Sequence, residues 1–139
     1  MITYYTKEGK FESKRSHPIP YSKLHRVDGP AIICSNGTKE WWVGGERHRE
    51  DGPAIAAQLR QEWWLKGKRH REDGPAFISS VKKEWWLKGK RHRIDGPAFI
   101  NFELGVKLWY YNDKLHRENG PAATYANGGK GWYINGKKT

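Results

Sequence analysis

Arg69-His70-Arg71-Glu72-Asp73-Gly74-Pro75-Ala76, answered nine residues later by Trp85-Trp86, is the stretch on which the fold of this 139-residue chain turns. Nearly the same words recur from residue 24 onward. His-Arg falls at His25-Arg26, His48-Arg49, His70-Arg71, His92-Arg93 and His116-Arg117, so successive histidines stand 23, 22, 22 and 24 residues apart. Each is followed by Gly29-Pro30-Ala31, Gly52-Pro53-Ala54, Gly74-Pro75-Ala76, Gly96-Pro97-Ala98 or Gly120-Pro121-Ala122. Asp28, Asp51, Asp73 and Asp95 precede the glycine in four copies and Asn119 in the fifth. An aromatic pair closes each unit: Trp41-Trp42, Trp63-Trp64, Trp85-Trp86, Trp109-Tyr110 and Trp132-Tyr133. Self-similarity at a short fixed period marks a repeat architecture, in which each unit packs on its neighbours rather than into one deep core.

Within a unit the residues read as two short strands and two turns. Proline is tolerated at the first residue of a strand, where no ladder donor is asked of it. The residues that follow, such as Ile32-Ile33, Phe77-Ile78 and Phe99-Ile100, favour β structure. Asn36-Gly37 and Asn127-Gly128 are strong hairpin signals. The second strand carries the aromatic pair and ends at a glycine turn, as in Lys88-Gly89-Lys90 and Asn135-Gly136-Lys137. No stretch combines helical periodicity with caps. The expected fold is all-β: an elongated single antiparallel sheet of about five tandem hairpins, each of ~22 residues. Residues 24–139 hold the five repeats. Residues 1–23 read as an N-terminal cap, because Thr3-Tyr4-Tyr5-Thr6-Lys7-Glu8-Gly9-Lys10 is a degenerate half-repeat, and His17-Pro18-Ile19-Pro20 breaks regular structure after it. The whole is one domain.

Alternation assigns faces, since residues two apart in a strand share a side. The first aromatic aligns with an apolar residue in every copy: Trp41 with Val43, Trp63 with Leu65, Trp85 with Leu87, Trp109 with Tyr111, Trp132 with Ile134. That stripe predicts the core. The second aromatics, Trp42, Trp64, Trp86, Tyr110 and Tyr133, share their side with polar neighbours such as Glu62 and Lys66, and are expected to be available for contact.

Charge follows the repeat as well. Arg47 and Arg49 flank His48, Arg69 and Arg71 flank His70, and Arg91 and Arg93 flank His92, while the turns add Lys66, Lys68, Lys88 and Lys90. Leu24 and Leu115 stand in place of the first arginine in the end copies. The concentration of charge in the middle three repeats predicts a basic binding strip, accompanied by Trp42, Trp64, Trp86 and Tyr110. A solvated edge guarded by charge is the structural alternative. Across the chain 26 Lys+Arg face 15 Asp+Glu, a net charge of +11, which favours anionic partners.

Several chemistries are excluded by residue type and spacing. His70 and Asp73 are three apart at a turn and are expected to hydrogen-bond, the carboxylate fixing the ring tautomer. Equivalent histidines in side-by-side hairpins lie two strands apart, about 10 Å, too far to share a zinc ion without convergence. Cys34 occurs in one repeat only and reads as a small strand residue. Glu62 and Glu84 read as partners for neighbouring lysines rather than as an acid/base pair. No catalytic residue, metal, cofactor or small-molecule substrate is expected. A single cysteine forms no intrachain disulfide and suits the cytosol, and neither a leader nor an apolar run of membrane length is present, so a cytoplasmic setting is expected.

A hairpin repeat carrying Trp/Tyr and Asn-Gly or Lys-Gly turns resembles MORN-type repeats, whose hairpins lie side by side in a twisted sheet. Residues 24–139 are more similar to the His-Arg-x-Asp-Gly-Pro-Ala repeat proteins of bacteriophages and large DNA viruses. The usual glycine-rich MORN pattern is replaced here by His-Arg and Gly-Pro-Ala, which weakens the lipid-binding role proposed for some MORN proteins. The resemblance implies a phage protein in the host cytoplasm that inhibits a host-defence, CRISPR-like nucleoprotein by covering its nucleic-acid channel or guide. The function expected from the residues is non-enzymatic binding of an anionic partner, nucleic acid (RNA first) or a nucleoprotein, since rows of charge beside aromatic rings suit single strands. An interaction scaffold meeting an acidic protein surface, and an anionic-membrane binder, are the alternatives.

Overall fold

Each Gly-Pro-Ala triplet marks where the chain enters a sheet. In the computed structural model, which describes residues 1–16 and 18–139, Ala31, Ala54, Ala76, Ala98 and Ala122 are all 0% exposed. A methyl group fills that position completely, which is why the residue is alanine each time. The expected break at His17 lies outside the described residues. Pro18 to Pro20 are irregular and lead into one turn of 3-10 helix, Tyr21–Lys23. All the other regular elements are strands, so the fold is all-β and antiparallel, built from tandem hairpins.

The chain divides into two units, Met1–Lys68 and Arg69–Thr139. The ladder of the first unit runs Gly9–Ser13, Ile2–Thr6, Ile32–Ile33, Lys39–Glu40, Ile55–Ala56, Arg60–Glu62. That of the second runs Phe77–Ser79, Lys82–Glu84, Phe99–Asn101, Val106–Leu108, Ala123–Thr124, Lys130–Gly131. Register places one row of partners across each ladder. In the first unit it is Tyr4, Ile32, Glu40, Ile55, Glu62, and in the second Phe77, Glu84, Phe99, Leu108, Ala123, Gly131. Most of this row is buried. A glutamate therefore sits between apolar cross-strand neighbours, which sets the central electrostatic problem of the fold.

Where two strands per repeat were expected, each copy passes through four. The strand carrying the aromatic pair is broken at its first member, because that residue serves two sheets at once. Trp41, Trp85 and Trp109 donate their N–H to Ala54, Ala98 and Ala122 at 2.7–2.8 Å, continuing the ladder. Their carbonyls accept instead from His48, His92 and His116 N–H at 3.0–3.1 Å, closing the base of a separate short hairpin. These hairpins are Trp42–Val43 with Glu46–Arg47 in the first unit. In the second they are Trp86–Leu87 with Lys90–Arg91, Tyr110–Tyr111 with Lys114–Leu115, and Tyr133–Ile134 with Lys137–Lys138. Their two-residue turns have positive φ at both positions, as at Lys88 (49°) and Gly89 (80°), the backbone that matches strand twist in a tight hairpin.

Candidate functional site

The histidine of the motif joins one repeat to the next. Its Nδ1 accepts a hydrogen bond from the first N–H of the following hairpin turn: Gly44 to His25 (2.8 Å), Lys66 to His48 (2.9 Å), Lys88 to His70 (2.9 Å), Asn112 to His92 (3.0 Å) and Asn135 to His116 (3.0 Å). The second N–H of each turn donates to the carbonyl just before the histidine, as Gly89 to Arg69 (2.9 Å) and Gly136 to Leu115 (2.8 Å). An accepting Nδ1 places the ring proton on Nε2. In three copies that nitrogen faces a glutamate, at 3.6 Å for Glu50, 3.7 Å for Glu72 and 3.8 Å for Glu118. The expected His70–Asp73 bond is not formed. The aspartate is taken by the neighbouring arginine, and a backbone clamp fixes the imidazole instead.

That arginine is the second of each triplet. Arg26, Arg49, Arg71 and Arg93 donate through Nε to Asp28, Asp51, Asp73 and Asp95 at 2.9–3.2 Å. Through Nη1 they donate to the carbonyls of Pro30, Pro53, Pro75 and Pro97 at 3.0–3.2 Å. The guanidinium lies over the first aromatic, Arg49 on Trp41 (3.8 Å), Arg93 on Trp85 (3.9 Å) and Arg117 on Trp109 (4.2 Å), while Arg26 lies over Tyr5 of the N-terminal cap (4.0 Å). Its far side rests on the motif glycine, where an added Cβ would stand 2.7–3.0 Å from Cζ. The glycine is thus required by the arginine rather than by its backbone angles. It also corrects the face assignment: Trp41, Trp85 and Trp109 are half-buried beneath a cation and Trp132 is 47% exposed, so these first aromatics do not form the core.

The first arginine of the triplet and the second aromatic belong to a buried polar network. Trp42, Trp64 and Trp86 donate their indole N–H to Glu40, Glu62 and Glu84 at 3.1 Å. Arg91 Nη2 donates to Glu84 at 3.2 Å, and its guanidinium lies 5.1 Å from the Trp86 ring and 5.4 Å from Tyr110. Arg47 faces Glu40 at 3.8 Å between the rings of Trp42 and Trp64, while Arg69 lies over Phe77 and Trp86. Trp42 is only 4% exposed, so the reading of it as available is overturned by the carboxylate that draws it inward, whereas Trp64, Trp86, Tyr110 and Tyr133 are half-buried. Glu84 is 1% exposed. Burial pushes its carboxyl upward, but the Lys82 bond and charge, the Arg91 charge and the Trp86 bond prevail, and it lies below its ordinary value. Glu62 takes Arg60 at 2.9 Å, and Glu84 takes Lys82 at 3.0 Å, the lysine partner expected for it.

This network explains why the first arginine of the triplet is confined to the middle repeats. Glutamate and arginine recur seven residues apart as Glu40/Arg47, Glu62/Arg69 and Glu84/Arg91, and where one changes so does the other, to Leu108/Leu115 and Gly131/Lys138. The second aromatic changes with them, from Trp to Tyr110 and Tyr133. Their concentration in the middle repeats thus follows the buried carboxylates.

The lysines are placed differently. Lys88 and Lys90 in the second unit, and Lys66 and Lys68 in the first, are exposed at the short-hairpin turns and form no ion pair among the described residues. The sequence reading missed Lys114 and Lys137, which stand at the place of Lys90 on the next two hairpins of the second unit, and Lys138, which stands at the place of Arg91. The signal was present, since Lys90, Lys114 and Lys137 each follow a two-residue turn directly. Successive hairpins are bonded to one another, so these rows recur about every 10 Å, two strand spacings.

Other candidates carry little chemistry. Burial, and then the Glu40 carboxylate, push the Cys34 thiol above its ordinary value, away from a reactive thiolate. Among the described residues no three His, Cys, Asp or Glu are grouped to hold a metal, and no helix is long and apolar enough to cross a membrane. Comparison with protein-family models, with curated proteins and with solved structures finds no match to this chain.

Proposed function

We propose that this chain is a non-enzymatic binding protein that engages a polyanion, single-stranded RNA or the exposed RNA of a nucleoprotein in first place, through the lysines at its short-hairpin turns. The observation that carries the reading is that Lys88, Lys90, Lys114, Lys137 and Lys138 are exposed along one column of hairpins in the second unit, without carboxylate partners among the described residues. The motif arginines, by contrast, are held by aspartate, carbonyl and ring. Backbone strain supports the same reading. Lys88 has φ of 49°, a left-handed conformation that costs a side chain about 1 kcal/mol and that Gly44, Asn112 and Asn135 occupy in other copies with less penalty. A cation is kept there although a better turn residue exists.

The test is binding of the full chain to labelled single-stranded RNA across a salt series. Five engaged lysines give log affinity against log salt a slope of about −3.5, and each Lys→Gln change at positions 88, 90 and 114 flattens it by about 0.7. No binding at low salt refutes the reading. The protein-interface alternative draws on a different patch, Phe102 (57% exposed), Leu104 (65%) and Tyr125 (47%) at the ladder-hairpin tips of the second unit. Retention of an acidic protein, but not RNA, with loss on Phe102→Ser, is its signature.

A further inference from the structure

Two grooves in the molecule are built by the same motif, one in each unit. In the first unit a groove of about 750 Å³ lies between the His-Arg loops of residues 26–30 and 48–51. In the second a groove of about 520 Å³ lies between those of residues 93–96 and 116–119. Each has a first aromatic on its floor (Trp41 or Trp109) and an exposed aliphatic wall, Val27 (81% exposed) or Ile94 (84%). Besides Val27 against Ile94, they differ at two places. The residue after the second aromatic is Val43 in one and Tyr111 in the other, and the motif aspartate Asp51 is replaced by Asn119.

Both changes alter what the second groove can hold. Tyr111 is fixed by His92 (ring centroids 4.5 Å) and His116 (5.9 Å) yet remains 47% exposed, so an aromatic surface is offered to solvent. Loss of the aspartate leaves Arg117 the only one of the five motif arginines with no carboxylate in ion-pair distance among the described residues. It keeps Pro121 O (3.2 Å) and its seat over Trp109 (4.2 Å), but the Nε bond of the other copies is not made. The remaining charges are accounted for: Asp95 is held by Arg93 at 3.1 Å, and Glu118 faces His116 Nε2 at 3.8 Å. The first groove has two arginines against three carboxylates, the second two against two. Tyr111 is also the cross-strand partner of Lys114, so the groove opens beside the lysine column.

We infer that the groove of the second unit is a binding site for one unpaired nucleotide, its base against Tyr111, its phosphate on Arg117 and its base edge within reach of the Asn119 amide. A phenol ring stacks any base, a guanidinium takes phosphate oxygens, and an amide both donates and accepts. The inference rests on the nucleic-acid reading of the lysine column and narrows it to a single position.

The test is titration of the full chain with nucleoside 5′-monophosphates, followed by NMR on the Tyr111 ring and the Arg117 side chain. Tyr111→Leu and Asn119→Asp each restore a residue that other copies carry, so the fold is expected to persist, and thermal melts check it. The wild type shows saturable shifts confined to these residues, and each variant weakens binding at least about fivefold. No shift at millimolar nucleotide, or the same affinity in wild type and both variants, overturns the inference. The lysine column is tested apart from it. A flat RNA salt slope with intact nucleotide shifts removes the column and keeps the groove, whereas a steep slope with no nucleotide shifts does the reverse.

Discussion

Arg93 provides the sharpest test of how the repeat is held. Its guanidinium is fixed from three directions: Nη1 donates to Pro97 O at 3.0 Å, Nε to Asp95 at 3.1 Å, and Cζ stands 3.9 Å from the Trp85 ring. A charged donor to a half-buried carbonyl is worth about 1.5 kcal/mol. The cation on an indole face adds about 1 kcal/mol. The ion pair adds only about 0.5 kcal/mol, because the Asp95 side chain is 86% exposed. Arg93→Ala is therefore expected to destabilise by about 3 kcal/mol. The fourth contact makes the reasoning refutable. A Cβ on Gly96 would stand 2.7 Å from Arg93 Cζ and 2.9 Å from Nη1, so Gly96→Ala must push the guanidinium off its ring, at about 1.5–2 kcal/mol. In an Arg93→Ala background the same methyl meets open space, and its cost falls to about zero. Urea unfolding of the four proteins of this cycle measures the difference. A coupling of about 1.5–2 kcal/mol is expected, and additivity within about 0.5 kcal/mol would show that the glycine is there for another reason.

Glu84→Leu strands Lys82 and Arg91 beside apolar strands and is expected to cost about 2–3 kcal/mol, most of which Glu84→Leu/Arg91→Leu recovers by reproducing the native Leu108/Leu115 pair; urea midpoints check both. Because the folded Glu84 carboxyl lies below its ordinary value of 4.5, its contribution is whole above that pH and is lost as pH falls through the lower folded value, so the wild-type advantage over the double variant should shrink in an acid titration. His92→Ala removes the acceptor for Asn112 N–H and is expected to cost about 1–2 kcal/mol, whereas His92→Asn keeps an oxygen near the Nδ1 position and costs less; equal losses in thermal melts would refute the clamp. Lys88→Asn relieves a left-handed lysine and is expected to stabilise by about 0.5–1 kcal/mol while weakening RNA binding; a variant that loses stability or binds unchanged contradicts the strain argument.

The repeat, the all-β class and the hairpin turns were legible because they depend on residue type at fixed spacing. Proline and glycine punctuate strands wherever they occur, and Lys88-Gly89 or Asn135-Gly136 announces a tight turn locally. The faces were not legible from alternation. Period-two logic assumes an unbroken strand, and the strand breaks at Trp85, whose N–H and C=O belong to different sheets. Nothing local in Glu84-Trp85-Trp86 signals that break; it is imposed by Ala98 from the next copy and His92 from the hairpin base. The roles of His70 and Asp73 were misread for a related reason. Proximity in sequence favours a bond between them, but Arg71 competes for the carboxylate with a better donor geometry, and the turn N–H of Lys88 takes the imidazole. The seven-residue coupling of glutamate and arginine was visible, in contrast, and is read only when the copies are compared position by position.

A chain of repeats contains its own alignment, and three kinds of position separate in it. His, Arg, Gly, Pro and Ala recur in every copy because the clamp, the guanidinium seat and the buried methyl are rebuilt each time. Glutamate, the first arginine and the second tryptophan change together, as members of one network must when a buried charge cannot be left alone. Lysines at the turns, and Tyr111 and Asn119 in one groove, obey neither rule. The chain has ten arginines and sixteen lysines. Eight of those arginines, Arg26, Arg47, Arg49, Arg60, Arg71, Arg91, Arg93 and Arg117, are held by carboxylates, carbonyls or rings of their own unit. The outward share of the net charge of +11 therefore falls mainly to the lysines, and a polyanion bound as proposed would meet the hairpin turns before the His-Arg motif.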